Sequence, residues 1–271
     1  MPDNRGLLFI IQYPTSSIYF YPMQTASFRT PSIFTPFLNL IAAESTRHGG
    51  VSQPPYSSMN LGINTDDEPA NVAENRRLWL ANWQLDESNL ASSYQVHGTA
   101  VQVATAAGRT TGYDALITNV PGLVVGVTVA DCTPILVYDV RNRAVAAIHA
   151  GWRGTVGGIV TKTLGMMQET YGTTSADCRA YVGTCIDACS FEVGHEVATQ
   201  FNENYITTNP STGKSMVDLK QANTDQLRDF GLSDTQIELS PYSTVLNNTD
   251  YFSHRLEQGF TGRMLAIIGI R

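Results

Sequence analysis

Apolar residues recur along this chain at two different periods, and the change from one to the other marks the elements. Short runs rich in valine, isoleucine, leucine and alanine at 100–105, 115–118, 123–129, 135–138, 144–148, 180–182 and 264–268 have the length and composition of strands. A helical period follows Asp66-Asp67-Glu68-Pro69, where acidic residues and a proline suit a first turn, and runs through Val72, Arg76, Trp79, Leu80 and Trp83. The spacing predicts helices over 155–171, closed by Gly172, and 218–230, closed by Gly231. Val193, Val197, Phe201 and Tyr205, at steps of four, predict another. The elements mix α and β without the regular βαβ alternation of a doubly wound sheet. With no internal repeat or Gly/Ser/Pro-rich linker, residues 1–271 read as a single domain.

The strands at 135–138 and 144–148 flank the turn Asp139-Val140-Arg141-Asn142-Arg143, so an antiparallel hairpin is expected. With Asp139 opposite Arg143, paired numbers sum to 282 and His149 faces residue 133. Cys132 and His149 then become neighbours at the open end of the hairpin. Such a pair has three readings: a buried thiol beside a hydrogen-bonded imidazole, a cysteine nucleophile with its histidine base, or part of a metal site. The metal reading needs a third ligand. His97, in Gln95-Val96-His97-Gly98 at the edge of a strand, would complete a His2Cys set with room for water or substrate.

Composition narrows the partners. The chain has 271 residues, 42% of them hydrophobic, with 24 acidic against 17 basic side chains and a formal charge of −7. A chain of this length buries about three quarters of its unfolded surface and needs no disulfide staples, so its four cysteines read as structural or reactive thiols. A negative chain without a Lys/Arg run disfavours nucleic acid and anionic membranes as partners. The apolar stretch at 6–11 is too short for a secretory signal and is ended by Gln12-Tyr13-Pro14. The apolar run at 123–130, stopped by Asp131, falls far short of the ~20 residues of a membrane span. A cytoplasmic protein, monomer or homodimer, is the expectation.

Any anion site must therefore be local. Gly151-Trp152-Arg153-Gly154 leads from a strand into a helix, where backbone N–H groups and Arg153 suit a phosphate. Ser253-His254-Arg255 and Thr261-Gly262-Arg263 form a second polar cluster, and Arg47-His48-Gly49-Gly50-Val51-Ser52 and Met59-Asn60-Leu61-Gly62 are polar turns. The first is equally well a tight strand-to-helix turn with a solvated arginine, and the second cluster, taken alone, is more often surface loop than site. Cys185-x3-Cys189 lacks two further ligands and reads as small packing residues in a turn.

Together these motifs, with Ala130-Asp131-Cys132-Thr133-Pro134, Phe191-Glu192-Val193-Gly194 and Asp218-Leu219, resemble the YfiH-like family, also called the laccase-domain or polyphenol oxidase family, which is similar to bacterial purine nucleoside phosphorylases. The resemblance runs from about 47 to 271. It implies an α+β fold of mixed β-sheets flanked by helices, of a type grouped with cysteine hydrolases. It also implies phosphorolysis of adenosine, inosine and 5′-methylthioadenosine, with deamination of adenosine. By motif, its metal ligands fall on His97, Cys132 and His149, with zinc or alternatively copper as the ion. Arg47, Arg153 and Arg263 become candidate phosphate ligands, His48 and His254 candidate acids, and Asn60 and Gln95 substrate-binding candidates. Asp131, beside Cys132, is a candidate proton carrier. The chain has Gly183-Thr184 where Gly-Pro is usual, Ser243-Thr244 for Cys-Thr and Phe191 for Tyr. These changes bear on substrate preference.

Ligand supply tests the laccase label. A trinuclear copper cluster plus a blue-copper site needs more imidazoles than five histidines provide, which leaves at most a single-copper phenol oxidase. A metal-bound water, acidified towards neutrality, suits attack on adenine C6. The alternatives are a Cys132–His149 hydrolase acting on a peptidoglycan precursor and a nucleoside-sensing binding module.

Overall fold

The computed structural model describes residues 28–271; the 6–11 stretch lies outside them. In chain order the strands begin with β1 (Phe28–Arg29), β2 (Leu40–Ser45), β3 (Leu90–Tyr94), β4 (Val101–Val103), β5 (Gly108–Thr111) and β6 (Ala115–Thr118). There follow β7 (Val124–Val129), β8 (Thr133–Asp139), β9 (Ala144–Ala150), β10 (Cys178–Val182) and β11 (Glu192–Val193). The last four are β12 (Ile206–Thr208), β13 (Ser215–Val217), β14 (Ile237–Leu239) and β15 (Met264–Ile270). Helices are α1 (Pro69–Leu80), α2 (Trp152–Val156), α3 (Ile159–Tyr171), α4 (His195–Ala198) and α5 (Leu219–Asp229).

Two six-stranded mixed sheets carry the fold, ordered β1-β2-β15-β7-β3-β5 and β14-β10-β8-β9-β6-β4, with a three-stranded sheet β11-β13-β12 beside them. They stack in four layers. On the outer face of the first sheet, Trp79 and Leu80 of α1 pack on Ile41, Val124 and Ile267. Between the sheets, Val125, Val127 and Ala266 meet Leu136, Val145 and Ala147. On the outer face of the second, Ile135, Val137, Ala146 and Ile148 are covered by Ile159, Leu164 and Met167 of α3 and by Leu227 of α5. The fold is thus α+β with mixed sheets flanked by helices.

The β8–β9 hairpin lies at the centre of the second sheet and every residue of both strands is buried. Its register pairs Thr133 with Ala150 and Asp139 with Ala144, so numbers sum to 283. His149 faces Pro134, one residue from the expected partner. The reason is the turn: Asp139 remains in the ladder and its carboxylate accepts the backbone N–H groups of Arg141 and Asn142, which shifts the pairing by one.

Two expected helices differ. The 155–171 helix is two helices, α2 and α3, separated at Gly157-Gly158, where Gly158 takes φ +75°. The 193–205 segment holds the end of β11, four-residue α4 and a 3-10 turn at Glu203–Tyr205, interrupted where Asn202 accepts from the N–H of Asn204. Its Val193 and Phe201 pack with Ile186, Val217 and Leu219 as a satellite cluster, so the four-residue spacing reflects convergence from separate elements. No helix of the described residues is long and apolar enough to cross a membrane.

Gly158 and Gly165 separate backbone strain from packing, because a Cβ at either would meet nothing within 4 Å. Gly158→Ala, forced into the left-handed region, should lower stability by about 1 kcal/mol. Gly165→Ala, inside α3, should raise it by about 0.5–1 kcal/mol. Urea titration of the two variants checks this; shifts of the same sign would count against it.

Candidate metal centre and cleft

The chemistry gathers where the two sheets part. Cys132 leads into β8, His149 lies one residue before the end of β9, and His97 sits in the loop between β3 and β4. Their ligand atoms all lie within 4.8 Å of one another, and the two imidazoles meet edge to face with centroids 4.8 Å apart. Among the described residues this is the one group of histidine, cysteine and acidic side chains so arranged. A Cβ on Gly151 would stand 2.9 Å from the His97 ring and 3.1 Å from Cys132 Sγ, so a glycine is what lets the three converge. One thiolate and two imidazoles form a donor set that suits zinc or copper. The residues present fit a metal ion.

Asp114, fully buried just before β6, joins the group behind the ligands. Its Oδ1 lies 2.8 Å from His149 Nδ1 and accepts the His97 N–H at 2.9 Å, while Oδ2 accepts those of Val96 and Gly98. His97 has φ 59°, a left-handed backbone costing about 1–2 kcal/mol for a residue with a side chain. The grip of the carboxylate on three successive N–H groups offsets that strain.

Burial alone would push the Cys132 thiol up, but His149 and His97 outweigh it and pull it down to about 6. Burial would likewise lower His149, yet Cys132 and Asp114 raise it to about 9. Without a metal, the two opposite shifts favour a thiolate facing an imidazolium. Burial raises the other interior thiols, Cys178 to about 12 and Cys185 to about 11.

The cluster opens into a cleft of about 410 Å³. Arg76, Arg109, Arg153, Arg255 and Arg263 line it against the single carboxylate of Asp131, with Tyr94, Trp152 and Phe191 among the walls. The arginines are held in place. Arg153 stacks on Trp152 at 4.3 Å, Arg255 on Phe191 at 5.4 Å and Arg109 on Tyr94 at 5.7 Å, a contact each cation gains from the ring face. Arg263 Nη1 donates to the carbonyls of Thr261 and Gly262. Burial and the charge of Arg263 hold the His254 imidazole below its ordinary value.

The sequence-based candidates divide accordingly. Gln95, Asp131, Arg153, His254 and Arg263 line the cleft. The Gln95 amide is bonded to the main chain of Thr128, and both oxygens of Asp131 are engaged, by Thr244 Oγ1 and the Arg255 N–H. Arg47, His48 and Asn60 are not among the lining residues. Arg47 bridges Ser57, Asn248 and Glu257, His48 meets Asp250 at 2.8 Å, and buried Asn60 accepts the N–H groups of Gly62 and Arg263. The helix that carries Arg153, α2, has five residues, too short for a helix-end anion site, so Arg153 itself is the group available to an anion there. Asp114, Arg76 and Arg109 carried no sequence signal: none belongs to a recognisable motif.

Residues 41–271 match the family described as multi-copper polyphenol oxidoreductase laccase. A purine nucleoside phosphorylase of Bacteroides thetaiotaomicron is 36% identical over 86% of this chain and 93% of its own. Purine nucleoside phosphorylase YlmD of Geobacillus stearothermophilus is 33% identical over 87% and 92%. Among solved structures, Bacillus licheniformis hypothetical protein YfiH superposes with a TM-score of 0.85 at 29% identity, covering 90% of this chain and 99% of its own. Geobacillus stearothermophilus YlmD gives 0.82 at 32% identity, covering 88% and 94%.

The thiols provide a direct check. In metal-free protein at neutral pH, iodoacetamide should modify Cys132 first and spare buried Cys178 and Cys185, with exposed Cys189 slowed because its hydrogen bond to Asp187 pushes its thiol up. The Cys132 rate should fall only as pH drops through about 6, and zinc loading should protect it. Peptide mass spectrometry reads the pattern; a Cys132 that reacts only near the ordinary thiol value of about 8.5 would contradict the ion pair.

Proposed function

The chain belongs to the YfiH-type, laccase-domain family, and from that membership we propose that it is a purine nucleoside phosphorylase, transferring the ribosyl group of adenosine, inosine or 5′-methylthioadenosine from base to phosphate. The names of its relatives support this. The observation that carries it is the cleft, where five arginines and three aromatic rings surround a nucleoside-sized space beside His97, Cys132 and His149.

In this reaction a phosphate oxygen forms a bond to C1′ as the C1′–N9 bond breaks, and the bonding pair passes to the purine, which takes a proton. The Arg153 guanidinium makes no hydrogen bond to the protein among the described residues and is stacked in place on Trp152, so its N–H groups are available to phosphate. Arg263 and Arg255 add positive charge on the opposite loop. Tyr94, Trp152 and Phe191 offer faces to the base. His254, mainly neutral at pH 7 because its proton affinity is lowered, can donate a hydrogen bond to the leaving purine. His97, Cys132 and His149 would hold zinc, or alternatively copper, whose Lewis acidity would act beside the substrate. Deamination of adenosine, with a water oxygen replacing the 6-amino group that departs as ammonia, is proposed for the same cleft. Asp131, with both oxygens engaged, fixes the Arg255 loop rather than carrying that proton.

Cys132, His149 and Asp114 in line also have the geometry of a thiol nucleophile, base and orienting acid, which favours a hydrolase as the second reading.

Inosine plus phosphate should yield hypoxanthine and ribose 1-phosphate, resolved by chromatography. Cys132→Ala should cut kcat/KM by about 100-fold or more, and Arg153→Ala should raise the KM for phosphate by about tenfold. Chelation should abolish turnover. Activity that survives complete metal removal but not alkylation would replace the phosphorylase with the hydrolase.

A further inference from the structure

Asp114 binds both histidine-bearing segments through one carboxylate, and none of the motifs includes it. Its contacts are of two kinds. Three are to the consecutive N–H groups of Val96, His97 and Gly98, at 3.2, 2.9 and 2.7 Å, a concave anion nest. The fourth is to His149 Nδ1, at 2.8 Å. The main chain repeats the link, because the carbonyl of Asp114 accepts the His149 N–H at 2.7 Å. The carboxylate therefore fixes the left-handed backbone that presents His97 and, at once, the ring plane of His149.

From this geometry we infer that Asp114 is the positioning residue of the metal centre: it fixes the Nδ1–H form of His149, turns Nε2 towards Cys132, and sets the distance between the two histidine ligands. The inference rests on the metal reading above. An asparagine at 114 would place an N–H2 where the nest supplies only donors, and would leave one acceptor for four donors. A neutral side chain also removes the negative charge that makes the imidazole a stronger ligand.

A plain structural role predicts loss of stability without a specific effect on the metal, so a matched control is needed. Asp139 supplies it: it is equally buried, and its carboxylate accepts the N–H groups of Arg141 and Asn142 and the Asn142 amide at the opposite end of the same hairpin.

Zinc affinity is measured by competition with a chromophoric chelator on wild type, Asp114→Asn and Asp139→Asn, with thermal unfolding of the metal-free forms alongside. Asp114→Asn should bind zinc about 10–100-fold more weakly than wild type, whereas Asp139→Asn should melt lower and bind zinc as wild type does. Imidazole nitrogen NMR of zinc-loaded wild type should show His149 protonated at Nδ1 and metallated at Nε2, a readout that stands even where Asp114→Asn does not fold. Metallation at Nδ1, or zinc affinity in Asp114→Asn within twofold of wild type, overturns the inference and leaves the metal reading intact. A wild type that takes up no zinc overturns both.

Discussion

The pairing of β8 with β9 is the constraint on which the rest depends. Both strands are buried on both faces, so their register decides two interfaces at once. In the observed pairing Ile135 opposes Ile148 and Val137 opposes Ala146, and all four face the helices. Leu136 opposes Ala147 and Tyr138 opposes Val145, and these face the other sheet. A slip of one residue would set each helix-facing side chain opposite a sheet-facing one and reverse the inward set. The alanines at 144, 146, 147 and 150 let both neighbouring layers approach closely. That register also delivers His149 beside Cys132, so the core and the candidate metal centre are fixed by the same hydrogen bonds.

The convergence of Cys132 and His149 was legible because it needs only a hairpin and a count of residues. Its register differs by one from that count because Asp139 stays in the ladder and its carboxylate closes the turn, and a strand apolar on both faces has no polar alternation to show the shift. The 193–205 segment failed in the opposite direction, since regular spacing was present but Gly194 and Asn202 broke the helix it suggested. Strands β1, β2, β3, β5 and β11 to β14 were missed; among them Leu90-Ala-Ser-Ser-Tyr94 and Gly108-Arg-Thr-Thr111 are polar segments whose pairing is settled by neighbours rather than by their own composition.

At the site, the residue types pointed to chemistry but not to direction. Arg47, His48 and Asn60 look like ligands in sequence, yet the loops carrying them turn the polar groups of Arg47 and Asn60 inward, while His48 pairs with Asp250 at the surface. Asn75, from α1, shows why: its amide bonds Val51, Ser52, Ser58 and Asn60, which knits the two turns into one buried polar network. Such a network is favourable only when every member is satisfied, and that requirement draws in residues that would otherwise be free to meet a substrate.

The same requirement sorts charge around the cleft. Asp114 is bound to the N–H groups of 96–98, and Asp131 to that of Arg255. Glu257 accepts from the Ser253 N–H, Thr261 and Arg47. Each carboxylate is directed into a loop, where it accepts backbone donors that no strand or helix satisfies. Those loops are the ones that bring His97, His254, Arg255 and Arg263 to the cleft wall. Anionic side chains thus serve as internal fasteners while Arg109, Arg153, Arg255 and Arg263 line the open space, and a protein of net charge −7 acquires a cationic cavity. Low-dielectric walls focus the field of those arginines into the cleft.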